Sequence, residues 1–293
     1  MYQILLNIIA PVVFCAGLGF LWAKRGWAFN METVTGLVTG IGAPMLIFST
    51  LLQLKTGLSA FLEFGLFALY TLIAFFIIGY IVLKLLKLDI RDYLPALMFP
   101  NTGNMGIPLS LFAFGDEGLT LALAFFSVYA ILQFTLGVWL ASGSTSVKQL
   151  LQTPLLYAVC AALILKVSAI TVPSAIIDTA DLLGGITIPL MLMALGVSLA
   201  NLSVRHLKLA TLLSVLRLGI GFGVGVTLAY IFNLQDVARG VLILECTMPV
   251  AVFNYLFSLR YNRAAGQVAG TVLISTLLSF ATLPLLLLFL LPQ

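Results

Sequence analysis

The sequence predicts an all-α transmembrane protein with ten helices, built as two five-helix repeats of opposite orientation. Three observations predict this fold: the chain is depleted in charge, its charge-free segments have the length of membrane spans, and its prolines recur at a nearly constant offset. Of the 293 residues, 62% are hydrophobic and only 8% are charged, whereas about 25% of residues in soluble domains are charged. Because charge destabilises a surface that faces lipid, the depletion indicates that this protein lies in a bilayer.

Charge-free windows define the predicted spans, since about 20 apolar residues cross the hydrocarbon core of a membrane. Nine windows contain no Asp, Glu, Lys or Arg, and one further window is interrupted only by Glu245. In chain order the windows are 1–23, 33–54, 64–83, 93–115, 118–147, 149–165, 182–204, 218–235, 240–259 and 264–293. They are numbered here as spans one to ten.

Basic residues are distributed unevenly between the predicted loops. The loops after odd-numbered spans contain Lys24, Arg25, Lys84, Lys87, Arg91, Lys148, Arg205, Lys208, Arg260 and Arg263. The loops after even-numbered spans contain only Lys55, Lys166 and Arg239, and Arg217 falls at the start of span eight. Because Lys and Arg are retained on the cytoplasmic side, both termini are predicted to lie outside. The expected location is a bacterial cytoplasmic (inner) membrane.

Internal symmetry is indicated by three pairs of prolines. Pro11 and Pro154, Pro44 and Pro189, and Pro100 and Pro249 are separated by 143, 145 and 149 residues. Each half contains five spans, an odd number, so the second half enters the membrane in the opposite sense and the repeat is inverted. The predicted repeats are residues 1–142 and 150–293, joined by a short polar linker at 143–149.

Span four carries the strongest helix-breaking signal. The sequence PNTGNMGIP at residues 100–108 places prolines, glycines and polar side chains near the middle of a membrane segment. Pro100 has no N–H to donate and glycine adds backbone freedom, so two half-helices are expected here. Span nine has a corresponding, less severe break at Pro249. Irregular backbone at membrane depth is tolerated only where it packs within protein or faces an aqueous cavity, so two matching breaks predict one shared interior site.

The candidate substrate site lies between these two breaks. A helix that restarts after a break has free N–H groups with a partial positive charge of about half a unit. The N–H groups near residues 102–105 and 250–252 could therefore hold an anion such as a carboxylate, while a cation could instead use the opposing carbonyls. The candidate substrate-binding residues are Asn101, Thr102, Gly103, Asn104, Met105, Thr247, Met248, Pro249 and Asn254. For Asn101, Thr102 and Asn104, the alternative is capping of the broken helix ends.

Glu245 is the candidate for coupling to an ion, because an ionisable group within a span is costly and is usually functional. It could bind Na⁺ or take up a proton, and the sequence leaves both open. The alternative is a structural hydrogen bond or an ion pair with a basic residue such as Arg217. The three cysteines fall in predicted spans without metal-like spacing and His206 is the only histidine, so neither a metal nor a cofactor is expected.

The motif NTGNMGIPL at residues 101–109, the proline break in span nine and the five-plus-five arrangement resemble the auxin efflux carrier (AEC/PIN-like) family in a prokaryotic form. This resemblance covers essentially the whole chain. It implies a ten-helix fold related to the bile acid sodium symporters, in which broken helices four and nine cross within a mobile core of helices 3–5 and 8–10. It also implies a scaffold of helices 1, 2, 6 and 7, often a dimer interface, and alternating access of the elevator type. Unlike plant carriers, this chain has no long hydrophilic central loop, so auxin itself is not implied as the substrate.

The sequence therefore predicts a secondary active transporter of a small organic anion, with substrate at the crossing of helices four and nine. The expected partners are that anion, the lipid bilayer and a second copy of the chain through the scaffold helices. The basic residues do not form the stripe that nucleic acid requires, so no nucleic acid is expected. A channel or receptor of the same fold is the alternative. An intramembrane enzyme is the alternative from another class. Catalysis at membrane depth needs paired acids, a Ser/His pair or a metal cluster, and only Glu245 is clearly placed there, so an enzyme is not predicted.

Overall fold

The computed structural model describes residues 2–53, 58–143, 154–168, 170–202 and 206–291. Most of the predicted linker and three of the basic residues that indicate orientation, Lys55, Lys148 and Arg205, lie outside these ranges. Within them, all regular secondary structure is helical. A single antiparallel bridge pairs Pro100 with Val250.

The helices, in chain order, are α1 (Tyr2–Lys24), α2 (Met31–Leu37), α3 (Ala43–Leu52), α4 (Leu58–Leu85), α5 (Ile90–Met98), α6 (Ile107–Leu132), α7 (Val138–Ser142), α8 (Pro154–Val167), α9 (Ser174–Gly185), α10 (Thr187–Asn201), α11 (Leu207–Ile231), α12 (Asp236–Thr247), α13 (Val252–Arg260) and α14 (Ala265–Leu290). Short π-helical segments lead directly into α3, α6 and α7. These segments are Val38–Gly42, Thr102–Gly106 and Gln133–Gly137.

Seven helical stretches among the described residues are long and apolar enough to cross a membrane. They are Leu5–Lys24, Met31–Leu52, Leu58–Leu85, Thr102–Ser142, Ser174–Asn201, Leu207–Ile231 and Ala265–Leu290. The predicted class, an all-α integral membrane protein, is therefore confirmed. The remaining windows fall on shorter helices, namely α5, α8, α12 and α13, and the count of ten spans stays a prediction.

The stretch Thr102–Ser142 has 41 residues, about twice the length of one span, and it is bent. Gly115 within α6 has φ 66° and ψ −154°, a backbone conformation that glycine adopts readily and other residues rarely do. The exposed residues Asp116 and Glu117 follow directly. The bend thus falls between the windows predicted as spans four and five.

The helices pack in two groups. In the first group, α1 lies against α10, and α3 lies against α8 and α9. In the second group, α11 lies against α12 and α14, and α4 lies against α5 and α6. The groups meet where α10 contacts the segment Thr102–Gly106 and where α1 and α8 contact α6.

Glycine permits the closest helix contacts in both groups. In the first group, a Cβ on Gly196 of α10 would overlap the carbonyl of Ala16 in α1. In the second group, a Cβ on Gly221 of α11 would overlap the carbonyl of Cys246 in α12. The helix backbones therefore touch directly at these points, as small residues allow in membrane proteins.

We expect the substitution Gly196→Ala to lower the thermal stability of the purified protein in detergent. The added methyl would lie 2.7 Å from both the carbonyl carbon of Ala16 and the nitrogen of Phe20. These are backbone atoms that cannot rotate away, and overpacking of this kind costs about 1–3 kcal/mol. The measurement is the melting temperature in detergent.

Gly17→Ala in α1 is the matched control, because a Cβ at that position has nothing within 4 Å. Its melting temperature should equal or slightly exceed that of the wild type, since alanine favours helix by about 1 kcal/mol over glycine. Equal melting temperatures for the two variants would contradict the close contact between α1 and α10.

Candidate functional site

Two helices stop at prolines that face each other. α5 ends at Met98, two residues before Pro100, and α12 ends at Thr247, two residues before Pro249. Proline cannot donate the N–H that continues a helix, and it disfavours helical conformation in the residue before it. The backbone after each helix is consequently extended.

The two extended segments pair with each other. The N–H of Asn101 donates to the carbonyl of Pro249 at 2.7 Å, and the N–H of Ala251 donates to the carbonyl of Phe99 at 3.1 Å. We call these paired segments, residues 99–101 and 249–251, the crossing. Because each segment satisfies backbone groups of the other, the unwound chain needs little help from solvent.

Helix resumes on the far side of the crossing at two starts. Asn101 precedes the segment Thr102–Gly106, which continues into α6, and Ala251 precedes α13. Neither residue places a side-chain acceptor on the N–H groups of the helix that it precedes. The proposal that Asn101 serves as a helix cap is therefore not supported by the geometry. Both helix starts keep the partial positive charge of uncapped N–H groups.

Asn101 has a free hydrogen-bond donor at this position. The residue is 4% exposed, and its Nδ2 has no hydrogen-bond partner among the described residues. A buried amide donor without a protein partner is costly, so this donor is available to a ligand or to water.

A cavity of about 220 Å³ lies beside the crossing, where the two helix groups meet. Its polar lining residues are Thr35, Thr39, Asn101, Thr102, Asn104, Gln133, Ser198, Asn201 and Tyr255. Its larger apolar lining residues are Met31, Phe126, Phe134, Leu155, Met191, Leu202, Phe253 and Leu256. None of the described residues that line it is Asp, Glu, Lys, Arg or His. An anion in this cavity would be held by N–H groups, amides and hydroxyls.

The cavity extends from the crossing toward one end of the helices. Met31, the first residue of α2, and Asn201, the last residue of α10, both line it. At this same end α1, α4 and α13 finish with Lys24, Lys84 or Arg260 in their last turns. We call this end the basic face.

Gly103 lies at the contact between the two helix groups. A Cβ at this position would be 2.9 Å from Cε of Met191 in α10 and 2.9 Å from Cε2 of Phe126 in α6. The glycine thus lets the backbone of the broken helix pass directly against Met191 of the other group.

The predicted substrate residues divide between the cavity and the packed interior. Four of the nine line the cavity, namely Asn101, Thr102, Gly103 and Asn104. The other five do not line it, namely Met105, Thr247, Met248, Pro249 and Asn254.

Asn254 supports the crossing instead of lining the cavity. Its Nδ2 donates to the carbonyl of Phe99 at 3.0 Å, and its Oδ1 accepts from Nε2 of Gln133 at 3.5 Å. Gln133 does line the cavity. The amide of Asn254 therefore connects the crossing to a residue of the cavity wall.

Glu245 is fully buried in the last turn of α12 and does not line the cavity. Its Oε1 accepts from Oγ of Ser110 at 3.2 Å, and its Oε2 has no partner among the described residues. The carboxylate lies against Gly106, where a Cβ would be 2.6 Å from Oε1. It does not form the alternative ion pair with Arg217, because the ion pair found in the described part of the chain joins Arg263 and Asp92 at 3.9 Å.

The sequence interpretation missed several residues of this region. Gly106, the last residue of the segment Thr102–Gly106, and Ser110 in α6 are four residues apart on one helical face, and this spacing was an available signal. The aromatic wall residues Phe126, Phe134 and Phe253 had no comparable signal, because phenylalanine is equally common on surfaces that face lipid.

Comparison with known proteins identifies the class. Residues 4–146 and 138–287 match a sequence family described as membrane transport protein. Together with the apolar helices and the internal cavity, this match defines an integral membrane transport protein. The chain belongs to this family, which is the auxin efflux carrier (AEC/PIN-like) family that the motif at 101–109 predicted.

Two archaeal proteins illustrate the relationship. The chain is 31% identical over 193 residues to an uncharacterized transporter of Methanothermobacter thermautotrophicus, an alignment that covers 63% of each protein and so less than two thirds of that relative. It is 25% identical over 275 residues to an uncharacterized transporter of Methanocaldococcus jannaschii, covering 87% of this chain and 88% of that protein.

We expect Gly106→Ala to destabilise the protein by displacing the carboxylate of Glu245. The methyl would overlap the carboxylate, and moving that group away would break its bond with Ser110. The expected loss is about 1–3 kcal/mol of unfolding free energy, measured as a fall in melting temperature. Gly223→Ala in α11, where a Cβ has nothing within 4 Å, is the control.

The double variant Gly106→Ala/Glu245→Ala tests whether the added methyl and the carboxylate touch. Because Glu245→Ala removes the group that the methyl meets, the double variant should lose less stability than the sum of the two single variants. Strict additivity would show that Gly106 and Glu245 do not touch.

Proposed function

We propose that this membrane transport protein is a secondary active transporter of a small organic anion, whose carboxylate binds at the crossing. The observation that carries the proposal is the unpartnered Nδ2 of Asn101, buried beside two uncapped helix starts. Helix N-termini bind anions because their N–H groups and dipoles both favour negative charge. Asn104 and Thr102 in the cavity wall add donors for the same group.

The rest of the cavity supports a substrate with an apolar body. Beyond the crossing, its wall is formed largely by side chains such as Phe134, Met191 and Phe253. Apolar walls with a few convergent polar groups are typical of sites for small organic molecules. In the proposed pose the carboxylate lies at Asn101 and the apolar part points toward the basic face.

We further propose that the chain has ten membrane helices in a five-plus-five inverted repeat and works by an elevator mechanism. Under this proposal spans one, two, six and seven are the scaffold, and spans 3–5 and 8–10 are the moving core. The packing into two groups that meet at the cavity supports this division. The direct contact of Gly103 with Met191 supports a boundary along which the core can slide.

Access in this structure is proposed to be from the basic face, toward which the cavity extends. The excess of Lys and Arg in the predicted odd loops supports a cytoplasmic assignment for that face, with both termini outside. The proposed setting is a bacterial inner membrane, and the proposed assembly is a homodimer through the scaffold.

Glu245 is proposed to couple transport to an ion. An ionised carboxylate buried without a counter-charge is strongly disfavoured, so a group in this position binds a cation or carries a proton. The single hydroxyl bond from Ser110 leaves Oε2 available for either. Movement of the core would carry this group between two environments, which is what coupling requires.

Uptake into proteoliposomes tests the transport proposal. We expect saturable uptake of at least one radiolabelled carboxylate, and Asn101→Ala or Asn104→Ala should raise KM at least about tenfold, because each bond to a charged group contributes about 1.5–3 kcal/mol. Asn7→Ala, an exposed residue of α1, is the control and should transport like the wild type.

Three results would contradict the proposal. They are an ohmic current in place of saturable flux, chemical conversion of the substrate, and wild-type KM in both cavity variants. The first result would indicate a channel and the second an enzyme.

Glu245→Gln should abolish accumulation of substrate against its gradient while leaving exchange of substrate across the membrane. The amide keeps the shape and can still accept from Ser110, but it can neither ionise nor carry a proton. Uptake is measured with imposed Na⁺ and pH gradients, in separate experiments. Glu63→Gln, at an exposed position of α4, is the control. Unchanged gradient-driven accumulation in Glu245→Gln would refute the coupling role.

A further inference from the structure

Arg217 is a fully buried charge that the proposed site does not use. It lies in α11, is 0% exposed, and is not among the residues that line the cavity. Burying a guanidinium group is strongly unfavourable unless its donors and its charge are compensated. The groups around Arg217 must therefore compensate its donors and its charge.

Its two terminal nitrogens bond to the ends of two helices. Nη1 donates to the carbonyl of Leu97 at 3.1 Å, and Nη2 donates to the carbonyl of Cys246 at 2.5 Å. Leu97 lies in the last turn of α5 and Cys246 in the last turn of α12, the two helices that stop at the crossing. The last carbonyls of a helix have no partner within it and carry a partial negative charge of about half a unit. One guanidinium thus compensates two helix ends.

The surrounding packing fixes this geometry. The guanidinium carbon lies 4.4 Å from the ring centroid of Phe75 in α4, a cation–π contact. Gly221, one turn after Arg217, lets α11 touch α12 at the carbonyl of Cys246. The arginine therefore reaches both helix ends from a backbone held directly against one of them.

No carboxylate among the described residues balances this charge. Glu245 precedes Cys246 in the chain, but its carboxylate is bonded to Ser110, and the ion pair in the described part of the chain lies elsewhere. The counter-charge of Arg217 is consequently the pair of helix ends. In membrane transporters, the carbonyls at the ends of broken helices can instead coordinate a metal cation such as Na⁺.

We infer that Arg217 is a positioning residue, a tethered cation that holds the ends of α5 and α12 together and takes the place of a metal cation between their carbonyls. The crossing therefore assembles and operates without Na⁺ bound between these two helix ends. This inference rests on the proposed transport function only where it concerns the transport cycle, since the assembly of the crossing can be measured without any substrate.

Thermal unfolding in detergent tests the inference, with NaCl compared against choline chloride at equal ionic strength. All variants are compared in a Glu245→Gln background, so that Na⁺ bound at Glu245 cannot contribute. The protein that carries only Glu245→Gln should have the same melting temperature in both salts. Arg217→Gln, which keeps hydrogen-bond donors but loses the charge, should melt at least about 5 °C lower in choline chloride and recover part of the difference in NaCl. Arg217→Lys, which keeps the charge, should fall between the two and should not respond to Na⁺.

Arg239→Gln is the matched control, because Arg239 also lies in contact with an aromatic ring, at 4.9 Å from the centroid of Phe289, but is only partly buried. It should melt like the Glu245→Gln protein in both salts. If Arg217→Gln does not fold, the inference is tested with Arg217→Lys alone. A folded Arg217→Lys variant that does not respond to Na⁺ supports the inference, and an unfolded one overturns it.

The inference is also overturned if Na⁺ raises the melting temperature of the Glu245→Gln protein, if adding Arg217→Gln leaves its stability unchanged, or if neither lysine nor Na⁺ restores stability. These outcomes are independent of the uptake assay. A protein that transports no carboxylate but shows the expected melting behaviour would refute the proposed substrate and leave the role of Arg217 intact.

Discussion

The pairing of two extended segments at the crossing is the constraint on which the rest of the structure depends. A chain that leaves helical conformation within apolar surroundings exposes N–H and C=O groups that lipid cannot satisfy. Here the bonds between Asn101 and Pro249 and between Ala251 and Phe99 provide the missing partners. Each break is therefore stable only in the presence of the other, and the two halves of the chain must assemble together. Asn254 reinforces this dependence, because its side chain donates to the carbonyl of Phe99, which also accepts from the N–H of Ala251.

Antiparallel pairing at the crossing also separates charge. The two helix starts, with partial positive charge, adjoin the cavity at Asn101 and Ala251. The two helix ends, with partial negative charge, meet at the guanidinium of Arg217. A single backbone arrangement thus creates an environment for an anion and an environment for a cation. The cation is part of the chain, whereas the proposed anion is the cargo.

Sequence reasoning could predict the fold class and the positions at which α5 and α12 stop, because both depend on local composition. Charge depletion identifies the bilayer, and Pro100 and Pro249 identify the breaks whatever their neighbours are. Sequence reasoning could not distinguish Asn101, whose Nδ2 has no partner, from Asn254, whose Nδ2 donates to Phe99, because both are asparagines close to a break. The partners of Arg217 and Glu245 were equally out of reach, since they lie on helices distant in the chain. An ion pair between them was a reasonable alternative from charge alone, but each side chain has a different and nearer partner.

The absence of charged side chains from the described cavity wall has a consequence for a carrier. A lysine or arginine in direct contact with a carboxylate in these apolar surroundings would form a strong ion pair. Slow dissociation of that pair would limit the rate at which substrate is released. Helix N-termini and amides provide partial charges, which stabilise the anion enough to replace much of its hydration and yet let water compete for it. Placing the full positive charge of Arg217 away from the cavity, where helix ends neutralise it, keeps that charge from trapping the substrate. The same residue that stabilises the crossing thereby leaves the proposed binding site weak enough to release its anion on either side of the membrane.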